Sequence, residues 1–324
     1  MDVLSDVLLA VRLSGALFYD VQARAPFVAS SPSTEAVGRR LMVDAEHVIA
    51  FHVVTAGGCW VERIGEGGEP ERVRAGDMVM FPGGDANYMA SAPGMRGEPM
   101  WERYFRPIDE PLPMTISVNE RGPGERCRFV CGYLACDTRP FNPLLASLPP
   151  MIRAPVSPQS WGWVTTLLDT AVEASAARGA GREATLAKLA ELMFLEALRQ
   201  HIEALPAEAR GWVAGLRDRR VGDALRVIHA RPAERWTIDR LAREIGMSRS
   251  SLADRFADFT GMPPMTYLTR WRLQLAARML ERGVMVTEAA AAVGYQSDAA
   301  FTRAFTRHVG TSPGAWRAGR EGGP

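Results

Sequence analysis

The spacing of apolar residues changes character several times along the chain. At the start, Val3, Leu4, Val7, Leu8 and Val11 recur at helical spacing and predict a short amphipathic helix. From Glu46 to about Ala135, β-branched and aromatic runs alternate with turns, and strands are expected at residues 47–55, 59–64, 71–74, 78–81, 101–105 and 127–134. Ala56-Gly57-Gly58, Gly83-Gly84 and the segment 65–70 supply the turns. Many short strands with frequent turns predict a sandwich or barrel. Prolines 140, 143, 149, 150, 155 and 158 end that region. Helices are then expected over 160–177 and 183–205, broken at Gly179-Ala180-Gly181. In the second, Leu186, Leu189, Leu192, Met193, Leu195, Leu198 and Ile202 cover too much of the circumference for a helix wet on one side. It should pack on the barrel, a partner chain, or both. Residues 206–220 read as a polar linker.

Beyond that linker a pattern occurs twice. Thr237 is placed to cap a short helix with Ile238, Leu241, Ala242 and Ile245 on its apolar face. Gly246 suits a sharp turn needing left-handed backbone. Ser248 then caps a second helix that carries Leu252, Phe256 and Phe259 inward. Two short helices joined at a glycine predict a helix-turn-helix. Ile238, Ala242, Ile245 and Gly246 recur 48 residues later as Val286, Ala290, Val293 and Gly294. With the offset at 49, Leu252, Phe256 and Gly261 recur as Phe301, Phe305 and Gly310, Pro264 as Pro313 and Tyr267 as Trp316. An internal duplication is far more specific than one short motif. Residues 265–281 between the copies read as one helix, with no internal Pro or Gly. At 1.5 Å per residue it is roughly 25 Å long, suited to holding two recognition helices near one DNA turn apart, about 34 Å.

Charge sharpens this picture. The net charge is only +1, yet from Arg217 onward there are 18 arginines against 11 acidic residues, while the rest of the chain is acidic. A basic C-terminal third points to a polyanionic partner. At 324 residues, 47% hydrophobic and 23% charged, the chain suits two folded domains rather than disorder. No apolar run is long enough to span a membrane, and the first residues lack the features of a secretory signal, so the cytoplasm is expected, with Cys59, Cys127, Cys131 and Cys136 reduced.

A recognition helix reaches base edges and phosphates with its exposed positions. In the first unit these include Arg249, Ser250, Asp254 and Arg255; in the second, Thr302 and Arg303, with Arg307 one turn on. An arginine can bind guanine through two parallel hydrogen bonds, and Asp254 can accept from cytosine or pair with a nearby arginine. The last ~100 residues closely resemble the AraC/XylS family of bacterial transcription regulators. The resemblance rests on Arg270-Trp271-Arg272-Leu273, Ala276-Ala277-Arg278-Met279-Leu280, the repeated turn motifs, and the closing Gly310-Thr311-Ser312-Pro313. It implies one chain placing two recognition helices in successive major grooves of promoter DNA and acting on RNA polymerase. Ala253 and Asp254 depart from the polar or basic residues often found there.

The run Gly76-Asp77-Met78-Val79-Met80-Phe81-Pro82-Gly83-Gly84 resembles a cupin motif, and cupin regions are common sensor domains in that regulator family. Metal-binding cupins carry His where Asn87 stands and a His-x-His pair where this chain has His52 alone. That sets aside the rival dioxygenase or isomerase reading; no catalytic residue, metal or cofactor is expected. An effector pocket is expected instead, with Phe51, His52, Trp60, Phe81, Asn87, Tyr88 and Trp101 as candidates, core packing being the alternative for each. Cys131 and Cys136 straddle an expected strand end; a thiol switch between them is one reading, inert buried cysteine the other.

The expected architecture is multidomain: a cupin-like β-barrel sensor over residues 1–150, a helical connector at 151–206 that forms a homodimer, a linker at 207–220, and an all-α double helix-turn-helix at 221–324. The expected function is a sequence-specific DNA-binding regulator controlled by an unidentified small-molecule effector or a redox signal. Unregulated shaping of DNA is the alternative that uses the same contacts.

Overall fold

Short β-branched runs between glycine turns form strands throughout the N-terminal half, as the alternation requires. A computed structural model describes residues 2–11, 13, 18–35, 45–65, 68–98, 114–154 and 182–321. The described strands are β1 (Phe18–Arg24), β2 (Val28–Ser31), β3 (His47–Ala56), β4 (Gly58–Arg63), β5 (Glu71–Arg74), β6 (Met78–Phe81), β7 (Asn87–Ala90), β8 (Met114–Val118), β9 (Arg126–Cys136) and β10 (Ile152–Ala154). The helices are α1 (Val3–Ala10), α2 (Arg182–Ala204), α3 (Trp212–Arg217), α4 (Arg219–Ala230), α5 (Ile238–Glu244), α6 (Arg249–Thr260), α7 (Pro264–Glu281), α8 (Val286–Ala292), α9 (Asp298–Val309) and α10 (Pro313–Glu321). The strand expected at 101–105 and the helix expected at 160–177 lie outside the described residues.

Strands of the first unit (residues 13–137 and 148–204) form two sheets. One has six strands in the order β10-β6-β3-β9-β1-β8, the other four in the order β2-β7-β4-β5. Together they make the cupin-like domain. β3 is an inner strand between β6 and β9, and seven of its ten residues in succession are buried, so both of its faces are covered. A strand covered on both sides needs no polar alternation. Helix α2 packs on β9 and β10. Its Leu186, Leu189, Met193 and Leu198 are buried there, so most of its broad apolar stripe is accounted for within the unit. Leu192 and Leu195 remain 43% and 37% exposed.

Helices other than α2 belong to the second unit (residues 1–12, 138–147 and 205–324). The sequence does not separate these pieces so, because α1 and 138–147 are far from the C-terminal helices along the chain. Gln274 of α7 joins them: its Nε2 donates to Ala10 O at 2.8 Å, and its Oε1 accepts from Phe141 N at 2.8 Å. The expected linker is also structured. Polar neighbours mask the apolar run Trp212-Val213-Ala214, which is buried and forms α3. Trp212 Nε1 donates to Tyr267 Oη at 2.9 Å, and Tyr267 Oη in turn meets His229 Nε2 at 2.9 Å. Stacked on Trp271 at 4.1 Å between centroids, His229 also points Nδ1 at Asp6 Oδ2, 3.6 Å away.

Candidate nucleic-acid interface

The duplication is repeated element by element. Helices α5 and α8 have seven residues each; α6 and α9 have twelve each. In each copy a serine caps the second helix: Ser248 Oγ accepts from Ser251 N and Ser297 Oγ from Ala300 N, both at 3.2 Å. Such a cap satisfies one of the backbone donors that open a helix and is worth about 1 kcal/mol. The intervening turns pass through left-handed glycines, Gly246 at φ +67° and Gly294 at φ +88°. Leu252, Phe256 and Phe259 fix α6 from within, and Phe301 and Phe305 fix α9. The opposite faces are therefore obliged to meet solvent.

Arg249, Ser250, Asp254 and Arg255 are exposed on α6, while α9 exposes Arg303 and Arg307 and half-buries Thr302. Their settings differ. Arg255 donates through Nε to Asp218 Oδ1 at 3.1 Å and through Nη2 to Asp218 Oδ2, so its guanidinium is engaged by the N-cap residue of α4. That ion pair holds the Asp218 carboxyl below its usual range. Arg249, Arg303 and Arg307 have no hydrogen bond or ion pair among the described residues. They are the cations of the two faces still available to a polyanion.

The copies are also tied together. Arg272 on α7 donates through Nε to Pro232 O at 2.6 Å and through Nη2 to Glu234 O at 2.7 Å. Arg235 Nη2 donates to Gln296 Oε1, in the second turn, at 2.7 Å. Sequence spacing carries no signal for either contact, because both depend on how the loop 231–236 folds back.

Inside the barrel unit, only part of the expected pocket converges. Successive strand residues point to opposite faces. His52 faces inward, 5.9 Å from Phe81 and 6.2 Å from Phe129 between ring centroids. Its Nε2 meets Asn87 Oδ1 at 2.9 Å and its Nδ1 meets Cys131 Sγ at 2.7 Å. Asn87 Nδ2 donates to Asp85 O, which leaves Oδ1 to accept from His52 Nε2–H, and hence leaves Nδ1 to accept from the Cys131 thiol. Burial holds the His52 imidazole down to about 4, against the raising effect of Asn87, and pushes the Cys131 thiol up. Phe51 is buried on the other face of β3. Trp60 and Tyr88 are half-buried, under the guanidinium groups of Arg72 (5.7 Å) and Arg96 (5.2 Å) respectively. Trp101 lies outside the described residues.

Cys131 and Cys136 do not meet. Both lie on the continuous strand β9, five residues apart, on opposite faces and roughly 16 Å from one another along the strand. The strand end expected between them is absent because β9 runs on to pair with β3 as far as His47. Cys127 instead has its thiol beside that of Cys59 of β4, in the other sheet.

Two repeated two-helix motifs on one connecting helix, each exposing its second helix, define a DNA-binding protein of the helix-turn-helix class. Residues 241–319 match the helix-turn-helix domain family, and residues 2–203 match the cupin family. The chain belongs to the AraC-type transcription regulators that carry an N-terminal cupin domain. It is 32% identical to a putative AraC-like transcription regulator of Streptomyces lividans, over 89% of this chain and 92% of that one. It is 30% identical to the regulator MtrA of Neisseria gonorrhoeae, over 84% of this chain and 86% of the relative. Among solved structures, the DNA-binding domain of AdpA in complex with a target DNA is 30% identical, covering 32% of this chain and 98% of that one at a TM-score of 0.31. No described helix is long and apolar enough to cross a membrane.

Proposed function

We propose that this regulator reads its operator chiefly through α9, with Thr302 and Arg303 toward base edges and Arg307 toward phosphate. On α6, Arg249 and Ser250 make the outer contacts and Asp254 a cytosine contact. The observation that carries this is the contrast among the arginines: Arg303 is exposed and unpaired, whereas Arg255 is tied to Asp218. The test is Arg303→Ala on duplexes carrying the operator and on scrambled duplexes. A base contact loses about 1–3 kcal/mol on the operator only. A phosphate contact loses the same on both and lowers the salt slope by about one.

Control by a signal received in the barrel is the second part of the reading. His52, Phe81 and Asn87 are the inward-facing groups on which a small-molecule effector would act. A signal has a covalent path to the DNA-reading unit, because residues 2–11 and 138–147 belong to that unit while the segments adjoining them belong to the barrel. Both pieces are held by Gln274, at Ala10 O and Phe141 N. Gln274→Ala should therefore uncouple effector response from DNA affinity without abolishing binding. Promoter action through RNA polymerase and a homodimer in the cytoplasm complete the reading. Leu192 and Leu195, left exposed on α2, support the dimer, and light scattering of Leu192→Glu beside the wild type tests it.

A further inference from the structure

We infer that Cys59 and Cys127 form a disulfide-forming dithiol, a modification site for small two-electron oxidants such as hydrogen peroxide. The chain passes from one sheet to the other at the β3–β4 turn, through Gly57 at φ +71°. That turn lies tight against β9: a Cβ at Gly57 would stand 3.3 Å from the Cα of Cys127 and collide with the carbonyl of Arg126. Two residues on, Cys59 faces inward from β4, which packs against β9, and its thiol neighbours that of Cys127. Both side chains are buried, at 0% and 2% exposure. Cys127 nevertheless lines a cavity of about 430 Å³ with Gln22, Arg24, Ala56, Arg126 and Arg128. A cavity of that size admits water-sized molecules.

The two sulfurs are not equivalent. The neighbouring Cys59 thiol and the Arg72 guanidinium lower the Cys127 thiol, while Cys127 and burial raise Cys59. Cys127, which borders the cavity where Cys59 does not, is the attacking thiolate, and Cys59 is the resolving thiol. Cys127 sulfur attacks one peroxide oxygen, the O–O bond breaks, hydroxide leaves, and Cys127 becomes a sulfenic acid. The Cys59 sulfur then displaces that oxygen, a disulfide forms, and its proton leaves with the oxygen as water. One peroxide is reduced and two thiols are oxidised. Cys131 is excluded from this chemistry, since it donates its thiol proton to neutral His52 and burial pushes that thiol up.

The full-length protein, treated with a small excess of hydrogen peroxide, is read by intact mass and non-reducing peptide mapping. The inference predicts loss of the mass of two hydrogens, a cross-linked peptide joining Cys59 to Cys127, and reversal by dithiothreitol. Cys59→Ser should stop at a sulfenic acid on Cys127 that a dimedone probe captures, and Cys127→Ser should leave Cys59 unmodified. Because Cys59→Ser places a hydroxyl in the core, Cys59→Ala serves as the check and should give the same trapped sulfenic acid. A cross-link involving Cys131 or Cys136, first oxidation at either of them, or no oxidation of Cys127 in the wild type would overturn the inference. The readout is chemical, so it stands or fails separately from the reading of DNA and effector.

Discussion

The left-handed turn at Gly294 lies against Ala233: a Cβ at Gly294 would stand 2.8 Å from both the carbonyl carbon and the Cα of Ala233 and closer still to its oxygen. The turn of the second helix-turn-helix is thereby seated on the loop that opens the first. Gly294→Ala meets two penalties. Positive φ costs a non-glycine residue about 1–2 kcal/mol, and the collision is with backbone, which has no rotamer to escape into. The variant should lose at least that much stability in denaturant titration and bind operator more weakly. Gly246, whose Cβ would meet only the Arg220 guanidinium at 3.7 Å, should tolerate alanine better.

Arg272 completes the seat by holding the Pro232 and Glu234 carbonyls. It acts as a positioning residue for the paired recognition helices. Wild-type protein should lose about tenfold or more in affinity, 1.4 kcal/mol, when one base pair is inserted between the two operator blocks. Arg272→Ala should bind the original operator less well yet discriminate the spacings less. Equal discrimination in both proteins would show that α7 alone sets the spacing.

Arg255 is predicted to be worth more to the fold than to base reading. Its ion pair with Asp218 is about half exposed on the arginine side, so the contribution to stability is at most about 1 kcal/mol. Arg255→Ala should lower the melting temperature slightly and weaken operator and scrambled duplex alike. A loss confined to the operator would place its guanidinium on a base.

Acid should act on the barrel through His52. Its imidazole is held down to about 4 by burial, so between that value and the ordinary 6.5 the unfolded chain binds more protons than the folded one. This contribution is fully present above pH 6.5 and is lost as pH falls toward 4, by on the order of 3 kcal/mol. Urea titrations across that range should show the slope, and His52→Gln should flatten it.

Elements set by local periodicity were legible in the sequence. The repeat Ile238–Gly261 and Val286–Gly310 carries its caps, turns and apolar faces in one dimension, and helix and turn physics reads them directly. The strands at 71–74 and 78–81 were equally plain. Less legible were the short strands β2, β7 and β10, whose three or four residues give alternation too little length. Long-range pairings were not legible at all: Gln274 with Ala10 and Phe141, Arg255 with Asp218, Cys127 with Cys59. Each joins residues by folding, and nothing in the spacing of Cys131 and Cys136 warned that β9 would carry both on opposite faces.

The most direct test of the central claim is selection of bound duplexes from a random pool by the purified full-length protein, followed by affinity against salt. Paired reading by α6 and α9 predicts an enriched motif of two blocks about one helical turn apart, roughly 34 Å, with the block read by α9 the stronger and weakened by Arg303→Ala. A single short block, or binding without any enriched motif that fades as salt rises, would contradict it.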